Sequence, residues 1–190
     1  VADWRADKRA RTRAAIQEAA LDLFARHGYD QVTVERVAAA AGVSHTTFFR
    51  YFPTKEDVVL SDDYDPLIAR HVCARTETDP VERVRLGIAE AFTHLDTAAL
   101  AVARERTLLM LSAPSLRARL WENQAATQRL LERVLHGADS DRIPLATRAV
   151  AAACTAVLTT TVTTWAEDGP TEALPSMVDE ALAALRPPTP

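Results

Sequence analysis

Apolar positions recur along this chain at intervals of three and four residues, and no stretch alternates with period two for long enough to make a strand. The pattern predicts an all-α protein. From about Asp7, Ile16, Ala20, Leu23, Phe24 and His27 share one stripe, and Gly28 stops the helix. Thr33 caps a second helix whose inward positions are Val34, Val37, Ala38 and Ala41, with Gly42 as its terminator. Ser44 caps a third almost at once, with Phe48 and Phe52 inward. Thr54 and Asp57 occupy the two positions of a capping box at the start of a fourth helix, which carries Val58, Val59 and Leu60. The run from Ser61 to Pro66 predicts a break, with Asp65 capping a new helix that begins at Pro66. Beyond it, glycines and prolines bound helices at about 80–95, 98–112, 114–136, 142–167 and 173–186. The count is nine helices, or ten if Pro66 splits the fourth. Residues 187–190 read as a frayed tail.

Two short helices separated only by Ala41-Gly42-Val43 must cross at a large angle, which is the helix-turn-helix signature. If Phe48 and Phe52 face the core, then His45, Thr46, Thr47, Phe49, Arg50 and Tyr51 point away from it or around it. Small hydroxyls and an imidazole at a helix start let a backbone come close to a duplex and hydrogen-bond base edges or phosphates, which suits the major groove. Lys55 stands beside the next helix start, whose N–H groups can also bind phosphate. His27 reads as a helix-end residue and Tyr29 as an aromatic packing over the joint.

The run T-V-x-x-V-A-x-x-A-G-V-S-x-x-T-F-F-x-Y-F-P-T-K-E-D, residues 33–57, resembles the DNA-binding domain of the TetR family of bacterial transcriptional regulators. The resemblance covers about the first third of the chain and implies a domain over residues 1–53 followed by a ligand-binding and dimerisation domain over 54–190. It also implies roles. Thr33 and Arg36 would lie near phosphates, His45, Thr46 and Thr47 towards bases, and Tyr51 and Lys55 on the DNA backbone, with Ser44 and Arg50 also counted among the DNA-binding residues. The family usually has tyrosine where this chain has Phe49, so the contact expected there is apolar.

Charge changes the picture in one place. The net charge of −4 argues against a global positive field, yet residues 1–13 hold five basic residues (Arg5, Lys8, Arg9, Arg11, Arg13) against Asp3 and Asp7. That is +3 locally, leaving −7 on the rest, a basic arm on an acidic body. The plainer alternative is a solvated helix start. Two cysteines, Cys73 and Cys154, make no disulfide framework, and with no export signal at the charged N-terminus they point to the cytoplasm. The apolar stretches at Leu108–Leu111 and Ala149–Leu158 read as too short or too rich in threonine to span a bilayer. No nucleophile elbow, phosphate loop or dinucleotide glycine pattern is present, so the reading is not an enzyme and calls for no cofactor. His71-x-Cys73 is the only pair resembling metal ligands, and that spacing on a helix puts the two on different faces.

The last two helices supply faces for a second copy. The segment 142–167 is rich in small Ala and Thr, and 173–186 offers Met177, Val178, Ala181, Leu182 and Leu185; together they suggest a four-helix homodimer interface, as the resemblance also implies. Alternatively both faces close the monomer's own core. Between them and the amino-terminal domain, Phe92, Met110 and Trp121 with the polar candidates His94, Glu105 and Gln124, and Trp165, suggest the wall of an apolar cavity. Segments 62–66, 111–116 and 165–169 are also similar to the TetR subgroup that binds acyl-CoA-like ligands. The expectation is a repressor dimer on a pseudo-palindromic operator, released by a small apolar or acyl-type effector. A structural or activating DNA-binding protein without an effector is the alternative.

Overall fold

A computed structural model describes residues 2–61, 64–137 and 142–186, except the side chains of residues 2, 3, 5–7, 64 and 121. Among the described residues there are ten α-helices, one 3-10 turn at Thr171–Ala173 and no strand. The helices are α1 (Ala2–His27), α2 (Val34–Ala40), α3 (His45–Tyr51), α4 (Lys55–Leu60), α5 (Tyr64–Ala74), α6 (Pro80–Phe92), α7 (Thr97–Ser112), α8 (Pro114–His136), α9 (Leu145–Asp168) and α10 (Leu174–Ala183). They form two compact units, one of residues 1–61 with 109–118, the other of 62–108 with 119–190.

In the first unit, α1 begins at Ala2, five residues before the expected start at Asp7. Ile16, Ala20 and Phe24, each four residues apart, are buried, together with Tyr29, Val32, Val37, Ala38, Phe48, Phe52, Val58 and Val59. His27 is corrected: it is exposed, one turn beyond the last core position. The tip between α7 and α8 also belongs here, with Ala113 and Leu116 in the same core and Leu109 and Met110 packed against it. Local sequence around residues 33–57 carries no sign of that insertion.

In the second unit, α5 and α6 pack closely because Gly87 lacks a side chain: a Cβ there would lie 2.6 Å from Val72 Cγ2 and 2.8 Å from the Val72 backbone. Val72, Val84, Ile88, Leu100, Leu131, Ala151, Cys154, Trp165, Val178 and Leu182 make the core, with α10 packed on α9 and α6. Two arginines satisfy three carbonyls in the last turns of helices. Arg83 donates to Val72 O of α5 (3.1 Å) and Val134 O of α8 (3.2 Å), while Arg104 donates to Ala166 O of α9 (2.9 Å).

The break after α4 is present, but its start differs from expectation. Helix α5 begins at Tyr64, so Asp65 is a helical residue and not its cap, and its carboxylate accepts a bond from Thr127 Oγ1 at 2.9 Å. Pro66 is tolerated because the first turn has no N–H partner to lose. Residues 62 and 63, part of the expected break, and the 187–190 tail lie outside the described residues. One apolar stretch is longer than the sequence reading made it: helix α9 is continuous over 24 residues, and an 18-residue window of it, with mean hydropathy 1.4, is long and apolar enough by length and composition alone to cross a membrane.

Candidate nucleic-acid interface

The turn between α2 and α3 is fixed by bonds that its sequence supplies locally. Thr33 Oγ1 accepts from the Arg36 N–H at 3.4 Å and opens α2. At the other end Gly42, with φ +65°, lets its own N–H reach Ala39 O (3.1 Å) while the Val43 N–H reaches Ala38 O (2.9 Å), closing the last turn. Ser44 then accepts from the Thr47 N–H at 3.1 Å, and its hydroxyl also bonds the Thr47 hydroxyl at 2.9 Å. Phe48 and Phe52 anchor the inner side of α3 with 1% and 0% exposure. The capping box of α4 is complete: the Thr54 N–H donates to Asp57 Oδ2 at 2.9 Å and the Asp57 N–H to Thr54 Oγ1 at 3.2 Å.

These restraints leave Ser44, His45, Thr46, Phe49 and Arg50 exposed and Thr47 and Tyr51 half-buried. Phe49 stands edge-on to His45 at 4.7 Å between ring centroids and to Phe48 at 5.3 Å, so it links the exposed imidazole to the buried ring. His45 Nε2 lies 3.4 Å from Glu35 Oε1 across the turn. The Glu35 carboxyl is held below its usual value, first by its backbone hydrogen bond and then by the Thr33 hydroxyl. Arg50 lies over the Tyr51 ring at 5.5 Å.

Two predicted phosphate contacts have partners within the chain. Arg36 is exposed, but its Nη2 donates to His27 Nε2 at 2.7 Å, tying α2 to the end of α1. Lys55 is half-buried: its Nζ donates to Tyr29 O at 2.5 Å and sits 4.0 Å from the Tyr29 ring centroid. Burial lowers its pKa from the ordinary lysine value. Tyr29 in turn donates its hydroxyl to Glu56 Oε1 at 3.0 Å. Lys55 therefore pins the start of α4 to the α1–α2 turn, a role invisible in a motif that gives only its place beside a cap.

Sequence reasoning missed a groove in this unit. It holds about 690 Å³ and is open, with Trp4, Lys8, Arg9 and Thr12 on one wall and Gly42, Val43, Ser44, Thr47, Arg50 and Tyr51 on the other. Of the basic arm, Lys8 and Arg9 line it, whereas the Arg13 guanidinium lies 5.2 Å from the Phe52 ring and the Arg5 side chain is outside the described residues.

The residues proposed for an apolar cavity are divided between the two units. Trp165 is fully buried in the second unit's core, and its Nε1 donates to Pro170 O (3.0 Å) and Thr171 O (3.2 Å), so it closes the turn into α10. Met110 packs with the first unit's core. His94 and Glu105 are exposed, Gln124 is half-buried, and Phe92 packs at the edge of the second core. The Trp121 side chain lies outside the described residues. His71 sits 3.6 Å from Glu90 and beside His94, while Cys73 is exposed; no group of three or more metal-ligating side chains forms among the described residues.

Residues 16–61 match the family model described as bacterial regulatory proteins, tetR family, and residues 78–190 match the model described as the MftR C-terminal domain. The HTH-type transcriptional regulator TcmR of Streptomyces glaucescens is 47% identical over 51 residues, 27% of this chain and 23% of that protein. The HTH-type transcriptional regulator EthR of Mycolicibacterium smegmatis is 35% identical over 110 residues, 55% of this chain and 50% of that protein. The chain thus spans half or less of these relatives' lengths. The Bacillus subtilis transcriptional regulator FadR, solved in complex with stearoyl-CoA, superposes with a TM-score of 0.55 over 90% of this chain and 96% of that one at 23% identity, a likeness of fold.

Proposed function

The chain belongs to the TetR family of bacterial regulatory proteins, and from that premise we propose that it is a dimeric, ligand-responsive transcriptional repressor acting on cytoplasmic DNA. The observation that carries the DNA half is the outward row of His45, Thr46, Phe49 and Arg50 on a helix whose start is fixed by the Ser44 cap and the Gly42 turn before it. A rigid helix with short polar groups at its start can enter a major groove and read base edges. In this reading Thr33 and Arg36 at the start of α2, and Thr47, Arg50 and Tyr51 along α3, meet phosphates, while Lys55 acts only by holding α4. Two copies would read successive grooves of a pseudo-palindrome about 34–36 Å apart.

What supports a second copy is α9, an apolar helix with only 22% of its most apolar window buried within one chain. Its small residues permit close approach by a symmetry mate, with α10 beside it. What supports an acyl-type effector is the fold shared with a regulator solved with stearoyl-CoA. Coupling of about 1–3 kcal/mol between effector and operator would change DNA affinity by roughly 5–150-fold. The test is selection of the full chain on a random duplex library, followed by binding of the enriched sequence with and without stearoyl-CoA. A paired half-site motif that Thr46→Ala degrades is expected; an enriched pool no different from the input sinks the DNA reading. A melting temperature indifferent to stearoyl-CoA and free fatty acids sinks the acyl-effector reading.

A further inference from the structure

Along α1 the residues four apart form one slowly winding row: Trp4, Lys8, Thr12, Ile16, Ala20, Phe24. Its second half, Ile16 to Phe24, is core. Its first half faces no core at all. Trp4 is 64% exposed, an unusual state for the largest apolar side chain. Lys8 Nζ lies 5.3 Å from the centre of the Trp4 ring, which orders both side chains against each other. The Thr12 hydroxyl is turned back onto Lys8 O at 2.9 Å. So α1 overhangs its own unit, and its overhanging row forms one wall of the groove whose other wall is the start and outer side of α3.

The chemistry of the groove selects its occupant. Among its described lining residues Lys8, Arg9 and Arg50 are cationic and none is acidic, with Thr12, Ser44 and Thr47 as hydroxyl-bearing residues and Trp4 and Tyr51 as aromatic ones. Cations, hydroxyls and one flat apolar face are what a sugar–phosphate strand presents partners for: charge for phosphate and an apolar surface for deoxyribose. We propose that this groove seats one strand of the duplex, with Lys8 and Arg9 on its phosphates and the Trp4 ring against its sugars. The proposal rests on the DNA-binding reading above, adds Trp4 as a binding residue, and assigns the uncovered end of α1 to the DNA interface. Because the contacts are to the backbone, they act on any sequence.

The test uses the full chain and a fluorescein-labelled 30-bp duplex of random sequence, titrated by anisotropy across a range of NaCl concentrations. Each phosphate contact contributes about 0.9 to the slope of log K against log salt. The variant Lys8→Ala/Arg9→Ala is expected to lower the slope by about 1.8 per bound protomer. The charge-matched control Arg129→Ala/Arg133→Ala, on exposed positions of α8, leaves it unchanged. Trp4→Ala is expected to weaken binding roughly five- to tenfold at constant slope, because it removes apolar contact and no charge. Duplex-dependent quenching of tryptophan fluorescence should be present in the wild type and lost in Trp4→Phe. An unchanged slope in the double variant, or quenching indifferent to Trp4→Phe, overturns the groove assignment while leaving DNA binding intact. A wild-type chain that binds no duplex at all removes the parent reading instead.

Discussion

The two units of this protein solve the same packing problem in opposite ways. The first sets three helices of six or seven residues, too short to persist alone, against the 26-residue α1, and it holds them with side-chain caps and a cluster of rings: Phe24 lies 4.9 Å from Tyr29 and Phe48 lies 5.9 Å from Phe52. The second uses helices of up to 24 residues that need little capping. It gains cohesion from small contacts such as Gly87 on Val72, from arginines on helix-end carbonyls, and from ion pairs at its margin. In that margin Arg85 bonds Glu82 and Asp179, and Arg186 reaches Asp79 and Glu82. The lesson is that precision at the reading helix is bought with local restraints, while the body gets by with length and shape.

Phe48→Ala offers the largest break in that contrast. Removing a ring with 1% exposure should cost about 3–5 kcal/mol, read as a lowered urea midpoint. A loss below about 1 kcal/mol would mean that the rings do not hold the short helices. Gly87→Ala sharpens the other side. Helix propensity alone predicts a gain of about 1 kcal/mol, yet the Val72 backbone stands 2.8 Å from the new Cβ. Overpacking should dominate, for a net loss of about 1–3 kcal/mol by the same melt, and a stabilised variant would show that α5 and α6 can part freely. Thr54→Ala should cost about 1 kcal/mol through loss of one bond of the capping box. An unchanged melting temperature would show that α4 needs no cap once Lys55 pins it.

The smallest expected effect is on acid stability. Glu82 and Glu77 are depressed below the ordinary 4.5, chiefly by hydrogen bonds from Arg85 and Arg75 respectively. A depressed carboxylate contributes stability that is present above its unfolded value and lost as pH falls through its folded value. Melts of the intact chain should therefore fall as pH is taken below about 4.5, and Glu82→Gln should flatten part of that decline. A decline identical in Glu82→Gln would remove these pairs from the account.

Helix ends were legible from sequence wherever the signal was local. Thr33, Gly42, Ser44 and Thr54 each act within four residues of themselves, and each does what its residue type and position predict. Lys55 was not legible, because a cap position says nothing about which way a long flexible side chain swings. Its direction is set by Tyr29, which is 26 residues away. The local roles of two cavity candidates were hidden for a related reason. Trp165 and Met110 look like spare apolar bulk in one dimension, and only the folded chain reveals that one closes a turn and the other packs in a different unit. The uncovered Trp4 row escaped notice because α1 continues beyond the point where its packing pattern ends.

Ala113 and Leu116 complete the amino-terminal core from more than fifty residues downstream of Ser61. A polypeptide severed after Ser61 would keep every letter of the reading motif and still carry a hollow where that distant loop had been. Protease digestion or subcloning that isolates the first third should consequently yield a loosened, easily melted fragment, and adding back a peptide spanning 109–118 is the natural rescue. Recognition by this protein is thus stitched together from two separated stretches of chain.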